Sequence, residues 1–229
     1  MDFIDAINGR TSCRAYLPMP VKREILSGIM ERASRSPSYR NSQPWEVFIV
    51  TGEKKVALAE KLTAMISDGV PLEPDFPFAQ SWPPPMESRT ESHRRLRFAA
   101  LGIDPDRDHE KIVESYMCNF KFFDAPGVIF IGMDRSLGPW SVFDLGLFTH
   151  GLLLAIYDAG LGACPQAMPT AYPKIIRGIL DIPENFAIML AISFGYPDSS
   201  APANSYRSVR KGQKEFVHWY GFGHANDAR

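Results

Sequence analysis

Apolar residues recur along the chain in two rhythms. Val21, Ile25, Leu26, Ile29, Met30 and Ala33 repeat with helical spacing, as do the apolar positions of residues 54–66. Phe3, Ile4, Ala6 and Ile7 predict a shorter helix that Asn8-Gly9 stops. Helical patterns also cover residues 89–101 and 108–123. Three strands are expected. Glu46 to Val50 form the first, closed by Thr51-Gly52, and Val128 to Ile131 the second. In the third, residues 186–194, Ile188, Leu190, Ile192 and Phe194 alternate with smaller residues. Residues 141–160 are mostly apolar and long enough to span a membrane. Asp144, His150 and Asp158 interrupt that run, with Gly146 and Gly151, and favour a buried core helix.

Residues 71–90 break both rhythms. Six of the 19 prolines lie there, Pro83, Pro84 and Pro85 in succession, so the stretch is expected to be neither helix nor central strand. Phe76, Phe78 and Trp82 within it suit either an apolar lid or a loop packed down on the body. The pattern is helix-rich, with few, widely separated strands, and fits an α+β or α/β domain.

A length of 229 residues predicts one large domain or two small ones. The hydrophobic share of 45% and charged share of 22% exclude a disordered chain. A net charge of −1 gives no global pull towards nucleic acid or anionic lipid, so any anion site must be a local cluster. Cys13, Cys118 and Cys164 are odd in number and far apart, which supports neither a disulfide framework nor a zinc ribbon. The opening MDFIDAINGR lacks the apolar stretch of a signal peptide, and a cytoplasmic location is expected. No GxxxxGKS/T or GxSxG is present, Gly160 to Pro165 fits GxGxxG poorly, and the histidines show no metal-ligand spacing. No metal is expected.

The remaining candidates are local. In an extended segment after Gly9, Arg10, Ser12 and Arg14 point to one side. Two guanidiniums and a hydroxyl suit a phosphate or a polarised carbonyl; three solvated side chains are the alternative. Arg207-Ser208-Val209-Arg210-Lys211 is a second basic cluster, or an exposed loop. The segment SPSYRNSQPW (36–45) holds Asn41 and Gln43, whose amides suit a heterocycle edge, or it is a polar turn. Trp45 reads as core.

Taken in order, RTSCRAY (10–16), SPSYRNSQPWEVFIV (36–50), FFDAPGVIFIG (122–132), the run from Asp144 to GLGACP, and NSYRSVRKGQKEFVHW (204–219) resemble the FMN-dependent nitroreductase family. The resemblance implies an α+β fold with a central, mainly antiparallel sheet flanked by helices, in an intertwined homodimer. It implies one FMN-binding domain over 1–229, with a lid at about 71–90 and a C-terminal arm at about 200–229. FMN is the implied cofactor, bound between the subunits. Arg10, Thr11, Ser12 and Arg14 are its implied contacts. Arg10 and Ser12 serve the phosphate, and Arg14 the N1–C2=O edge as a charge stabiliser. Pro37, Ser38, Tyr39 and Asn41 come from the other subunit. Pro165, Gln166 and Ala167 line the ring, although Gln166-Ala167-Met168 departs from the commonest form of that loop. Arg207 and Arg210 complete the phosphate site. The implied activity is ping-pong hydride transfer through flavin N5, from NADH or NADPH to nitroaromatic or quinone-like acceptors. No side chain acts as a catalytic acid or base. Two alternatives stay open. One is the same fold with other chemistry, such as flavin ring cleavage or reductive dehalogenation. The other is a non-catalytic binder of a phosphorylated ligand. Neither nucleic acid nor membrane is an expected partner.

Overall fold

The computed structural model of the protein describes residues 1–221. Four strands form its sheet: β1 (Glu46–Thr51), β2 (Gly127–Asp134), β3 (Gly162–Gln166) and β4 (Phe186–Gly195). They lie in the order β1-β2-β4-β3, with every neighbouring pair antiparallel. Seven α-helices surround it among the described residues: α1 (Phe3–Gly9), α2 (Arg23–Ala33), α3 (Gly52–Ser67), α4 (Pro84–Ala100), α5 (His109–Met117), α6 (Pro139–Asp158) and α7 (Pro173–Leu180). The architecture is α+β.

Because strand side chains alternate between faces, the central strand β2 feeds two cores. Ile129, Ile131 and Met133 pack with Leu26 and Ile29 of α2 and Leu145, Phe148, Leu152 and Ile156 of α6. Val128 and Phe130 pack on the other face with Leu58 and Leu62 of α3 and Ile176 of α7. Burial on both faces explains the unbroken apolar run of β2. The apolar α6 is thus a core helix on one side. Its buried Asp144 accepts the Tyr39 N–H at 3.1 Å to each carboxylate oxygen. Trp45 stacks on Phe148 of the same helix, with ring centroids 4.7 Å apart.

Four expectations need correction. There are four strands, not three. The short β3 carries Pro165, which is tolerated because β3 is the last strand of the ladder. Ile188 does not share a face with Ile192 and Phe194. The register slips between Ile131 and Gly132, so Ile188 enters the α3–α7 core while Ile192 and Phe194 enter the α2–α6 core. Gly132 is required there, since a Cβ would collide with the Ala187 carbonyl oxygen. The proline run does begin a helix. Pro84 and Pro85 occupy the first turn of α4, where their missing N–H groups have no intrahelical role. The helix expected over 108–123 ends at Met117, and Phe122, Phe123 and Asp124 beyond it adopt left-handed φ angles of 57°, 52° and 55°, through which no α-helix continues.

The segment between α3 and α4 is held down by ions. Asp75 accepts from Arg177 at 2.7 Å, from Arg135 at 2.6 Å and from the Ile188 N–H at 2.8 Å. Asp75 and Arg177 are each 6% exposed in their side chains. Phe76 and Phe78 pack against the two cores, so the loop is docked on the body at these positions, whereas Trp82 is exposed. Burial pushes the Asp75 carboxyl up, but bonds from Arg177, Ile188 and Arg135 outweigh it and hold the carboxyl below its ordinary value. Asp75→Ala is expected to destabilise the fold by about 3–5 kcal/mol near neutral pH, by leaving Arg177 buried without this partner. The contribution is complete above about pH 4 and disappears as pH falls through the lower folded value. Urea unfolding should therefore show the gap between wild type and variant narrowing below about pH 4. A gap constant down to about pH 2 would contradict this assignment.

Candidate functional site

Residues 10–17 follow α1 and are clamped on two sides. The Cys13 N–H donates to the Ala163 carbonyl at 2.9 Å, and Ser12 forms a parallel bridge with Ala163, so this segment covers the free edge of β3. Gly162 permits that approach, since a Cβ would stand 2.7 Å from Cys13 Cβ and Sγ. On the other side the Leu17 N–H donates to the Tyr196 carbonyl at 2.8 Å, and the Asp198 N–H to that of Ala15 at 3.1 Å. The buried Tyr16 hydroxyl donates to the carbonyls of Cys13 and Ser193. The backbone is extended by these pairings.

The C-terminal segment then returns to the same place. Asn204 Oδ1 accepts the Arg14 N–H at 2.7 Å, while Nδ2 donates to the carbonyls of Ala15 and Asp198. Arg14 donates through its guanidinium to the Tyr206 hydroxyl at 2.6 Å and to the Ser12 carbonyl at 3.4 Å. Arg207 donates to the Gly9 carbonyl at 2.9 Å, placing a cation on the C-terminal end of α1, where the helix dipole favours it. Both ends of the chain thus meet around one cavity of about 510 Å³. Arg10, Thr11, Ser12, Arg14, Arg207 and Arg210 line it, with His150 of α6 and Tyr206.

No acidic residue lines this cavity, and none of its arginines has an ion-pair partner among the described residues. Burial pushes the Arg10 guanidinium below its ordinary pKa, and Arg210 and Arg207 push it further. His93, facing Arg14, Arg97 and Arg210, is lowered by burial and by these cations. The cavity is therefore a region of uncompensated positive charge. Several guanidiniums presented together fit a group with several acceptor oxygens, such as a phosphate.

Other expected residues lie elsewhere. Pro37, Ser38, Tyr39 and Asn41 do not line the cavity of their own chain. They sit at the N-terminal half of α6, with Tyr39 stacked on Trp140 at 6.1 Å and the Ser38 hydroxyl accepting the Gln43 N–H. Pro165, Gln166 and Ala167 do not line it either. Gln166 is 3% exposed and its amide is used internally: Nε2 donates to the Asn119 carbonyl at 3.1 Å, and Oε1 accepts from the Ser193 hydroxyl. Lys211 does not line this cavity but another, beside α4. His150, Tyr206 and Asn204 were not singled out from the sequence. Asn204 and Tyr206 lie in the NSYR stretch that carries the resemblance, whereas His150 is marked only as a polar interruption of the apolar run 141–160.

Comparison with known proteins bears on the family and the fold. The sequence model of the nitroreductase family matches residues 7–196. The chain is 32% identical to a 4-nitrobenzoate reductase of Pseudomonas putida over 221 residues, covering 96% of each protein. It is 32% identical to nitroreductase NfnB of Mycolicibacterium smegmatis, covering 91% of this chain and 88% of that one. Among solved structures, the FMN- and NADPH-dependent nitroreductase NfnB from Sphigopyxis sp. strain HMH superposes with a TM-score of 0.93 at 29% identity, covering 97% of this chain and all of that one. The paired ends, the antiparallel sheet and a match across most of the sequence converge on one assignment: this chain belongs to the nitroreductase family.

Proposed function

We propose that the protein is an FMN-dependent NAD(P)H oxidoreductase that reduces nitroaromatic or quinone-like acceptors. The observation that carries this reading is the half-buried Arg10, facing Arg207 and Arg210 in a cavity that, among the described residues, has no acid and gives its guanidinium no hydrogen-bond partner. That donor set fits the phosphate of FMN. The names of the relatives support the same cofactor and acceptor class: one similar structure is an FMN-dependent nitroreductase in complex with NADPH, and one similar protein is a 4-nitrobenzoate reductase.

In this reading Arg10, Ser12, Arg207 and Arg210 hold the phosphate, and Thr11 lines the ribityl path. Arg14 faces the pyrimidine edge. Its guanidinium is fixed by Tyr206 and its backbone by Asn204, so it would hold its charge against that edge of bound FMN without reorganising. A preorganised donor of this kind contributes about 3–4 kcal/mol in other enzymes. When bound, FMN supplies the hydride chemistry. The donor and the acceptor use one site in turn, which is ping-pong behaviour. For a nitro acceptor, one hydride from NAD(P)H and one solvent proton yield the nitroso compound and water. No side chain is needed as general acid.

The remaining ring contacts belong to a second copy of the chain. Trp140 and Phe143 of α6 are 68% and 59% exposed, and Phe3 and Ile4 of α1 are also bare. Large apolar groups presented together on helices suit a self-complementary interface. Tyr39 stacks on Trp140, so Pro37, Ser38, Tyr39 and Asn41 would come to the partner's ring in such a dimer, while Pro165, Gln166 and Ala167 would line the ring. The arm expected at about 200–229 would follow the partner from residue 200 onward; its residues 222–229 lie outside the described residues.

Freshly purified protein is expected to carry FMN absorption that NADPH or NADH bleaches without oxygen. A colourless protein that takes up no FMN on mixing contradicts the reading. Arg210→Ala is expected to weaken FMN binding by about ten-fold or more, through a lost charge-assisted bond. Unchanged affinity by fluorescence titration removes Arg210 from the phosphate site. Sedimentation should give a dimer, and Trp140→Glu with Phe143→Glu should shift it to monomer. A wild-type monomer at micromolar concentration overturns the interface.

A further inference from the structure

The loop before β1 is exposed and yet fixed. None of residues 37–43 is buried. Arg40, Asn41 and Gln43 nevertheless hold left-handed φ angles of 52°, 58° and 46°. Asparagine visits this region readily, arginine and glutamine rarely. Such a backbone persists only where its surroundings over-determine it. Part of the restraint is internal: the Ser38 carbonyl accepts the Asn41 N–H and the Ser38 hydroxyl the Gln43 N–H, both at 3.0 Å. The rest comes from α6. Ser36 lies on Gly151, where a Cβ would stand 2.7 Å from the Ser36 hydroxyl oxygen. Trp45 stacks on Phe148 at the far end of the loop. Between these two anchors Asp144 holds the Tyr39 N–H, directly before the first left-handed residue.

Asp144 is 2% exposed. Among the described residues its carboxylate meets no cation, and no donor besides the Tyr39 N–H. Burying a carboxylate costs more than one such bond returns. Stability therefore does not account for Asp144, whereas the need to fix an exposed loop does. The loop has no task in the arginine cavity of its own chain, since none of residues 36–43 lines it. We propose that Asp144 is a positioning residue that acts across the subunit boundary: by holding the Tyr39 N–H it sets the backbone of 37–41 against the flavin of the second copy. The chain that carries Asp144 is then not the chain whose arginines hold that flavin's phosphate. This rests on the flavin and dimer readings above.

Asp144→Ala should lower kcat for NADPH oxidation with nitrobenzene by about ten- to a hundred-fold, the loss that a displaced positioning contact causes. The ratio of FMN to riboflavin affinity should stay at its wild-type value, because the arginine cavity is untouched. Asp144→Asn keeps an oxygen for the Tyr39 N–H and should recover most of the lost rate. The decisive measurement uses mixed dimers, isolated through two different tags, that pair an Asp144→Ala chain with an Arg10→Ala, Arg210→Ala chain. One flavin site of such a dimer carries both lesions and the other carries neither, so about half of the wild-type rate should return. If Asp144 serves the flavin of its own chain, each site carries one lesion and no rate returns, which overturns the proposal. An Asp144→Ala chain that fails to fold, or an Asp144→Asn protein as slow as the alanine variant, also overturns it. Failure of the oxidoreductase reading is seen separately, as no NAD(P)H oxidation with nitrobenzene by the wild type, and failure of the dimer reading as a wild-type monomer.

Discussion

Four guanidinium groups share one cavity in this protein with no carboxylate among the described residues that line it, and such a set is held only if the backbone around it is fixed by other means. Burial first, and then Arg210 and Arg207, push the Arg10 guanidinium below its ordinary pKa. The opposing force is a set of ordinary hydrogen bonds. Asn204 makes three of them, binding the backbone of Arg14 and Ala15 and that of Asp198. Arg207 is fixed by the end of α1. The positive field is thus stored in the fold and is released when an anion arrives, which is how a binding site is preorganised.

The sheet is the platform for this arrangement. β3 is the last strand of the ladder, and its outer edge is where residues 12 and 13 attach. β4 runs beside it and leads directly into residues 196–198, which clamp the other side of the same segment. The N-terminal strip therefore sits between the edge of the sheet and the exit from its neighbour. α6 underlies the site from the core and presents His150 to the cavity, while its opposite end carries Tyr39 through the buried Asp144. One helix thereby links the arginine cavity to the loop that carries Tyr39.

Much of this was legible from local pattern. The alternation of Arg10, Ser12 and Arg14 after a helix stop described an extended strip with one charged side, and the apolar runs at 46–50, 128–131 and 141–160 marked the layers. What failed was set by distant partners. β3 is five residues long with Pro165 in it, so only its pairing with β4 makes it a strand. The face of Ile188 depends on a register slip opposite Gly132. Pro84 and Pro85 read as helix breakers, yet both stand where a helix has no N–H to lose. Arg97 and Phe123 come together with Arg14 only because α4 and the turn after α5 pack there, and no spacing in the sequence links them.

We propose that the arginine cavity holds the phosphate of a flavin. This is tested most directly by comparing the affinities of FMN and riboflavin for the apoprotein, at fixed ionic strength, by fluorescence quenching. FMN is expected to bind at least about a hundred-fold more tightly, since several charge-assisted bonds depend on the phosphate, and the difference should shrink with added salt. Equal affinity for the two flavins, insensitive to salt, would contradict the account.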